Sequence, residues 1–449
     1  MRLPSLLGRG PSSDGRGWGG SRDNAAMQNA PLSYWHTSAK ASGPALSHAL
    51  PATADVVVIG GGIVGTCAAY WLARNSTQKL KVIQLDQHAL AAGATGRNGG
   101  FLTLGTAESY SSAVAHFGKP TADAIWQLTL TNRDLMRGVI REEALPCDYR
   151  EPGHLSLALS DESMTRMSLD AAARTAAGLE AIVLDRDQLR TFIRTDLGPD
   201  IRGAVYAPNT GLLHSAQFIY TLAGVAQRQG AELAQAQVTH LEPKGAGVNV
   251  HTSQGTILAG AVIVAANAWT SWLMPNHTSP IQPVRGQVLS YAAIPPVFQH
   301  GMGAGLTATG EYWQQTPTGE IVLGGCRAAR PDGDVGQLNN DITDDVQAAL
   351  ERVLPTLFPK LAGLRVAQRW GGPMAFTPDY LPVADAVPDV PGAWFAGGFC
   401  GHGMPFGMIF GQLLAEAALS GHKPAALAPF ALGRMTLREP SATHTVPAE

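Results

Sequence analysis

With 449 residues, 45% of them hydrophobic and 15% charged, and a formal net charge of −3, the chain has the make-up of a soluble globular protein long enough for two cores. That balance gives no reason to expect nucleic acid or an anionic membrane as partner. The 51 glycines and 30 prolines are scattered rather than periodic, which implies many tight turns and excludes a fibre.

Residues 1–26 are dominated by Arg, Gly, Ser and Pro and contain no apolar run of the length a secretory signal needs. Residues 1–31 are expected to form a disordered tail or an upstream start, with Met27 as an alternative initiator and folded structure beginning near Leu32. The basic tilt (Arg2, Arg9, Arg16, Arg22) lacks the amphipathic pattern of a targeting peptide. Ala54–Ala73 is long and apolar enough to cross a bilayer as a helix, but Gly60 to Gly62 interrupt it. A buried strand Val56-Val57-Val58-Ile59, a glycine turn and a helix from Ile63 is the better parse.

Gly60, Gly62 and Gly65 have the spacing of the dinucleotide fingerprint: one for the tight turn, one for backbone approach to a pyrophosphate, one for helix–sheet packing, with Ile63 and Val64 opening the helix. A second strand, Lys81–Leu85, ends at Asp86, 21 residues after Gly65, where an acid can accept ribose hydroxyls. Then comes GATGRNGG (93–100), too small-sided to pack a core. Its glycines let main-chain N–H groups approach a ligand, with Arg97 or Asn98 able to bond phosphate or ring oxygens; a mobile surface loop is the alternative. A helix over about 215–229 precedes a strand toward Thr239, and the apolar run Ile257–Ala268 supplies another inner strand before Trp269-Thr-Ser-Trp272. Alternating stretches such as His154–Leu159 and Val284–Tyr291 suit strands of a different sheet.

In this order the segments resemble the D-amino-acid-oxidase-like family of FAD-dependent oxidoreductases, the group with sarcosine, glycine and γ-glutamylputrescine oxidases. The resemblance runs over about 33–420, through Ser33-Tyr-Trp35, the fingerprint, GATGRNGG, Gly211-Leu-Leu-His214, 262–269, Pro283-Val-Arg-Gly-Gln287, Thr377-Pro-Asp379 and FAGGFCGHGMPFG (395–407). It implies an α/β plus α+β fold: a Rossmann-type FAD-binding domain (54–145, 205–275 and 364–432) with a discontinuous, mostly antiparallel substrate domain (146–204 and 276–363) and a flexible C-terminal tail (433–449). It also implies FAD contacts at Gly60, Gly62, Ile63, Val64, Gly65, Asp86, Gly93, Ala94, Thr95, Arg97, Asn98, Gly99, Gly100, Val238, Ala266, Trp269, Gly398, Gly401, Gly403 and Met404.

The reaction implied is oxidation of a C–N bond in a small amine or amino acid by hydride transfer to flavin N5, with electrons leaving to oxygen or another acceptor. His402, in its glycine turn, either lines the site or only bonds backbone. Tyr312 and Trp313 form an aromatic wall or are ordinary core; Arg285 or Arg327 holds a substrate carboxylate or makes a surface ion pair. Two departures from the resembled oxidases stand out. The stretch before Thr377 lacks their flavin-linking cysteine, implying non-covalent FAD, and no lysine lies between Lys244 and Lys360 to match the one they place near flavin N5.

The chain shows no second GxGxxG, hydrolase elbow, Walker loop or metal cluster. Cys67, Cys147, Cys326 and Cys400 are too far apart for a disulfide framework or zinc site, which suits a reducing cytoplasm. Two other readings stay open: a nicotinamide-linked dehydrogenase, and a flavin-containing assembly subunit without turnover.

Overall fold

A computed structural model of the chain describes residues 31–74, 79–274 and 280–438. The expected N-terminal tail, Pro31 apart, lies outside the described residues, as do 439–449. Residues 433–438, expected to be flexible, are folded down: Arg434 donates to the buried Asp379 through Nε (2.6 Å) and Nη2 (2.8 Å), and Leu437 is buried.

Two sheets organise the molecule. In the first, strands Ala393–Gly397, Gly255–Val264, Thr53–Ile59, Val82–Asp86 and Glu232–Gln235 run parallel in that order, with Val383–Ala386 antiparallel at one edge. Val57 pairs with Val262 on one side and Ile83 on the other, and it is fully buried because apolar layers cover both faces of the sheet. Helices Ile63–Arg74, Ser215–Arg228 and Met404–Ser420 cover one face. The antiparallel pair Val238–Lys244 and Gly247–Thr252, with Met274 and Ile281, contributes to the core on the other.

The second sheet has eight strands, in order Val366–Phe376, Gln282–Tyr291, Ile321–Gly325, Glu311–Gln315, Gly301–Ala304, His154–Ala158, Gly203–Ala207 and Ile182–Asp185. Only the Gly301–Ala304/His154–Ala158 pair is parallel. Helix Asp344–Leu357 packs its apolar stripe on one face; a cleft separates the other face from the loops of the first sheet.

Two strands sit in this sheet and not in the nucleotide-binding segments where they were expected: Gly203–Ala207, overlapping 205–275, and Val366–Phe376, inside 364–432. The second pairs along its whole length with Gln282–Tyr291, Gln282 opposite Phe376 and Tyr291 opposite Val366. A long-range ladder, not local sequence, assigns these strands to their sheet.

Candidate active site

The site begins at the fingerprint. Gly60 has φ of +119°, and a Cβ there would lie 2.5 Å from the Ala265 carbonyl oxygen; one on Gly65 would lie 2.1 Å from that of Gly60. Neither tolerates a side chain. A Cβ on Gly62 would meet only the Thr95 hydroxyl, at 3.2 Å, so this turn is closed behind and open in front. Buried Gln84 pins it by donating to the Gly60 carbonyl (2.9 Å) and to Thr66 (3.1 Å). The first amides of a helix have no carbonyl one turn earlier. Here Thr95 Oγ1 accepts from Ile63 N (3.0 Å), which docks the second glycine segment against the helix start. Asp86 accepts from the amides of Gly61 (2.7 Å) and His88 (2.8 Å). Burial raises its carboxyl to about 6 against the pull of these two bonds, and lone pairs remain for further donors.

GATGRNGG owes its shape to where its carbonyls point. Gly96 O accepts from the Ser33 hydroxyl, Arg97 O from Trp370 Nε1 (2.9 Å), and Asn98 O from Trp35 Nε1 (2.6 Å). Gly99 O accepts from Gln314 Nε2 and Gly100 O from Leu213 N (3.0 Å). Five successive acceptors are thus bonded to other parts of the chain, while Gly93, Ala94, Thr95, Asn98 and Gly99 line the cleft. The upstream turn Tyr34–Thr37 is the clamp, since His36 Nε2 also lies 3.0 Å from the Ala91 carbonyl. Arg97 differs from expectation. Its side chain borders the cleft, but it donates to the carbonyls of Ala92 (2.9 Å), Pro31 (2.9 Å) and Gly371 (3.1 Å), so it acts first as a brace.

Val238, Ala266 and Trp269 border the same cleft, with the Trp269 ring over Gly93. Gly65, Gly100 and Gly398 do not line it. Gly65 packs helix on strand; Gly100 (φ +75°) and Gly398 (φ +73°) are turn positions, the latter donating to Asn267 Oδ1 (3.2 Å). Gly401, His402, Gly403 and Met404 reach it from the C-terminal turn. Helix Met404–Ser420 has no acidic residue in its first turn and no side-chain cap, so its positive end stays open toward the cleft. Asn132, fully buried, braces that end: its Nδ2 donates to Met404 O (3.0 Å) and its Oδ1 accepts from Met408 N (2.9 Å) and Ile409 N (3.1 Å). Burial lowers the His402 imidazole, whose Nδ1 lies 3.3 Å from the Cys400 carbonyl.

The second sheet supplies the opposite wall, where the arginines separate. Arg285 is held by Asp334 (2.7 and 3.2 Å) and Asn339 (2.6 Å), a buried pair with no capacity for substrate. Arg327 lines the cleft, 4.9 Å from the Phe376 ring centre. Its hydrogen bond to Gly333 O is long at 3.4 Å, and among the described residues no carboxylate pairs with it. Desolvation lowers its pKa, so an incoming anion would compensate it. Strand alternation divides Tyr312 from Trp313: Trp313 is core against Phe298 and Phe358, whereas Tyr312 lies in the cleft across Gly324 and 5.8 Å from Phe101. Sequence reading did not select Phe101, Asn267, Phe376, Tyr380 or His154. Tyr380 has the one legible signal, its place directly after Thr377-Pro-Asp379.

The cleft is one cavity of about 2870 Å³, against roughly 300–1,000 Å³ for a pocket holding one small ligand. A glycine turn open in front, an acid at the second strand end, an arm with outward carbonyls and an open helix end together fit an elongated dinucleotide such as FAD, with room beside it for substrate.

The comparisons agree. A family model described as FAD dependent oxidoreductase (DAO) matches residues 55–417. The chain is 26% identical over 373 residues to a probable oxidoreductase OrdL of Rhizobium meliloti (82% of this chain, 83% of that one). It is 25% identical over 401 residues to γ-glutamylputrescine oxidoreductase of Escherichia coli (86% and 88%). The crystal structure of glycine oxidase from Geobacillus kaustophilus superposes with a TM-score of 0.75 at 22% identity, covering 86% of this chain and 99% of that one, and shows the fold. The chain belongs to the DAO family of FAD-dependent oxidoreductases, enzymes acting on amino acids or amines, and FAD is its cofactor.

Proposed function

We propose that this enzyme oxidises the C–N bond of a small amino acid or amine of the γ-glutamylputrescine, sarcosine or glycine type, with Arg327 holding the substrate carboxylate. The observation that carries this is a half-buried guanidinium, without a carboxylate partner among the described residues, facing a cleft that also contains the nucleotide cradle. Gly60, Gly62, Asp86, Thr95, Asn98, Gly99 and the open end of Met404–Ser420 would hold FAD, non-covalently. When bound, FAD supplies the hydride acceptor.

The chain's own residues orient and exclude. Arg327 fixes the carboxylate bidentately; Tyr312, Phe101 and Phe376 shield the amine carbon from water; and His402, kept neutral by burial, adds no positive charge beside an amine that must itself be neutral to react. No lysine lines the cleft among the described residues, which favours an acceptor other than oxygen. Four free, buried cysteines support a reducing compartment, the cytoplasm, and no described helix is long and apolar enough to cross a membrane.

The test is Arg327→Ala in purified flavoprotein. Loss of a hydrogen-bonded charge pair should weaken binding of a carboxylate-bearing substrate about 10- to 100-fold with bound flavin retained. Equal rates of anaerobic bleaching in the variant and the parent would overturn the assignment. Comparing oxygen uptake with dye reduction tests the acceptor.

A further inference from the structure

Away from Arg327 the cleft continues along the second sheet to a histidine that the foregoing reading leaves without a task. Moving from Ile321–Gly325 through Glu311–Gln315 and Gly301–Ala304 to His154–Ala158 crosses three strand spacings, roughly 14 Å from main chain to main chain. The whole path borders the same cavity: Arg327, Tyr312, Gly303, His154 and Ser156 all line it. Glycines pave the floor. A Cβ on Gly301 would lie 2.9 Å from His154 Nδ1, and one on Gly303 would lie 3.0 Å from Nε2, so the imidazole lies flat across both. Phe101 meets the ring edge-to-face at 5.6 Å and fixes its plane.

The two ring nitrogens are not equivalent. His154 Nδ1 is buried and makes no hydrogen bond, and a buried unpaired N–H is rarer and costlier than a buried unpaired lone pair. The proton of the neutral ring therefore belongs on Nε2. Burial, the largest factor, together with the charge of Arg174, holds the ring neutral, with its pKa at about 4. Ser156 lies two residues further along the same face, opposite Val205, as His154 lies opposite Ala207. The charges at this end are balanced: Arg166 and Arg174 line it, as do Asp170, bonded to Ser111 N, and Glu108, paired with His116.

We propose that His154 Nε2–H and the Ser156 hydroxyl form a second recognition point, taking a carboxylate on the far arm of the substrate, so that the preferred substrate is an amino acid carrying a second carboxylate on a flexible arm. The site deepens the assignment of Arg327 to the first carboxylate and rests on it. Two anionic ends, one at Arg327 and one at His154, would stretch the substrate along the sheet and leave its nitrogen between them, under Tyr312.

Two matched series test this with the holoenzyme: N-(carboxyalkyl)glycines with one to four methylenes in the arm, and N-alkylglycines of equal length without the second carboxylate. Binding is read from perturbation of the flavin spectrum, oxidation from anaerobic bleaching. The carboxylated arm should improve binding about tenfold or more at the longer lengths. In His154→Phe that ratio should fall toward one, and in His154→Gln, which keeps an N–H donor, it should partly return. No preference for the carboxylated arm in the parent, or a preference that His154→Phe leaves intact, would overturn the proposal. If neither series bleaches the flavin, the oxidation reading fails, while the binding ratio still decides for or against the second site.

Discussion

Asp86 carries an unusual load for a surface-type residue. Its carboxyl sits at about 6, raised by burial and partly offset by the amides of His88 and Gly61. In the proposed cradle ribose hydroxyls would donate to the ionised form, so protonation would compete with FAD in the apoprotein. FAD affinity should fall about tenfold between pH 7 and pH 5, one unit below that pKa, as measured by fluorescence titration. Asp86→Asn should bind weakly at both pH values and lose the dependence; an unchanged slope in that variant would assign the effect elsewhere. The arginines make the complementary point. Arg97, Arg285 and Arg327 are indistinguishable as letters, yet one braces carbonyls, one is locked to Asp334 and one faces the cleft, because a guanidinium's use depends on which acceptors the fold brings within reach.

At the scale of elements, the helix Met404–Ser420 is placed by two glycines and one asparagine. A Cβ on Gly407 would lie 2.1 Å from Ile63 Cγ1, and one on Gly411 would lie 2.6 Å from Cys67 Cβ, so the helix crosses Ile63–Arg74 at backbone contact. Gly411→Val should cost about 1–3 kcal/mol or more by overpacking, measured as a lowered thermal midpoint with earlier flavin release. Asn132→Leu should cost about 1–3 kcal/mol per stranded polar group. That change leaves Met404 O, Met408 N and Ile409 N without their partner and loosens the helix end that faces the cleft. A variant of either kind as stable as the parent would mean that the helix shifts to accommodate it. The upstream turn Tyr34–Thr37 has the same status on the other arm, since Ser33, Trp35 and His36 each bond a carbonyl of the 91–98 segment.

Across the whole molecule, buried histidines set the response to acid. Burial, the largest cause in each case, lowers His36, His154 and His214 to about 4. A depressed pKa in the folded state means stability that is complete above the unfolded value of 6.5 and is lost as pH falls through about 4. Asp86 runs the other way: its contribution is complete below 3.8 and lost through about 6. Three groups against one predict a thermal midpoint that drops between pH 7 and pH 4.5. A flat profile over that range would show that these imidazoles remain solvated.

The fingerprint, Asp86 and the second glycine arm were legible in the sequence because their physics is local. A parallel strand needs β-branched residues, a tight turn needs glycine, and a close backbone approach needs missing side chains. The family resemblance added the turn at 395–407 and the FAD assignment. Other features are decided by tertiary structure alone, since each depends on partners hundreds of residues away. Strand Val366–Phe376 belongs to the second sheet because Gln282–Tyr291 offers it a ladder. Trp313 is core and Tyr312 borders the cleft because the pleat turns one to each face. His154 enters the cleft only because Gly301 and Gly303, on a strand distant in sequence, leave it a flat place to lie. Sequence fixes which backbone shapes are possible; the long-range pairing of strands decides which side chains share a cavity.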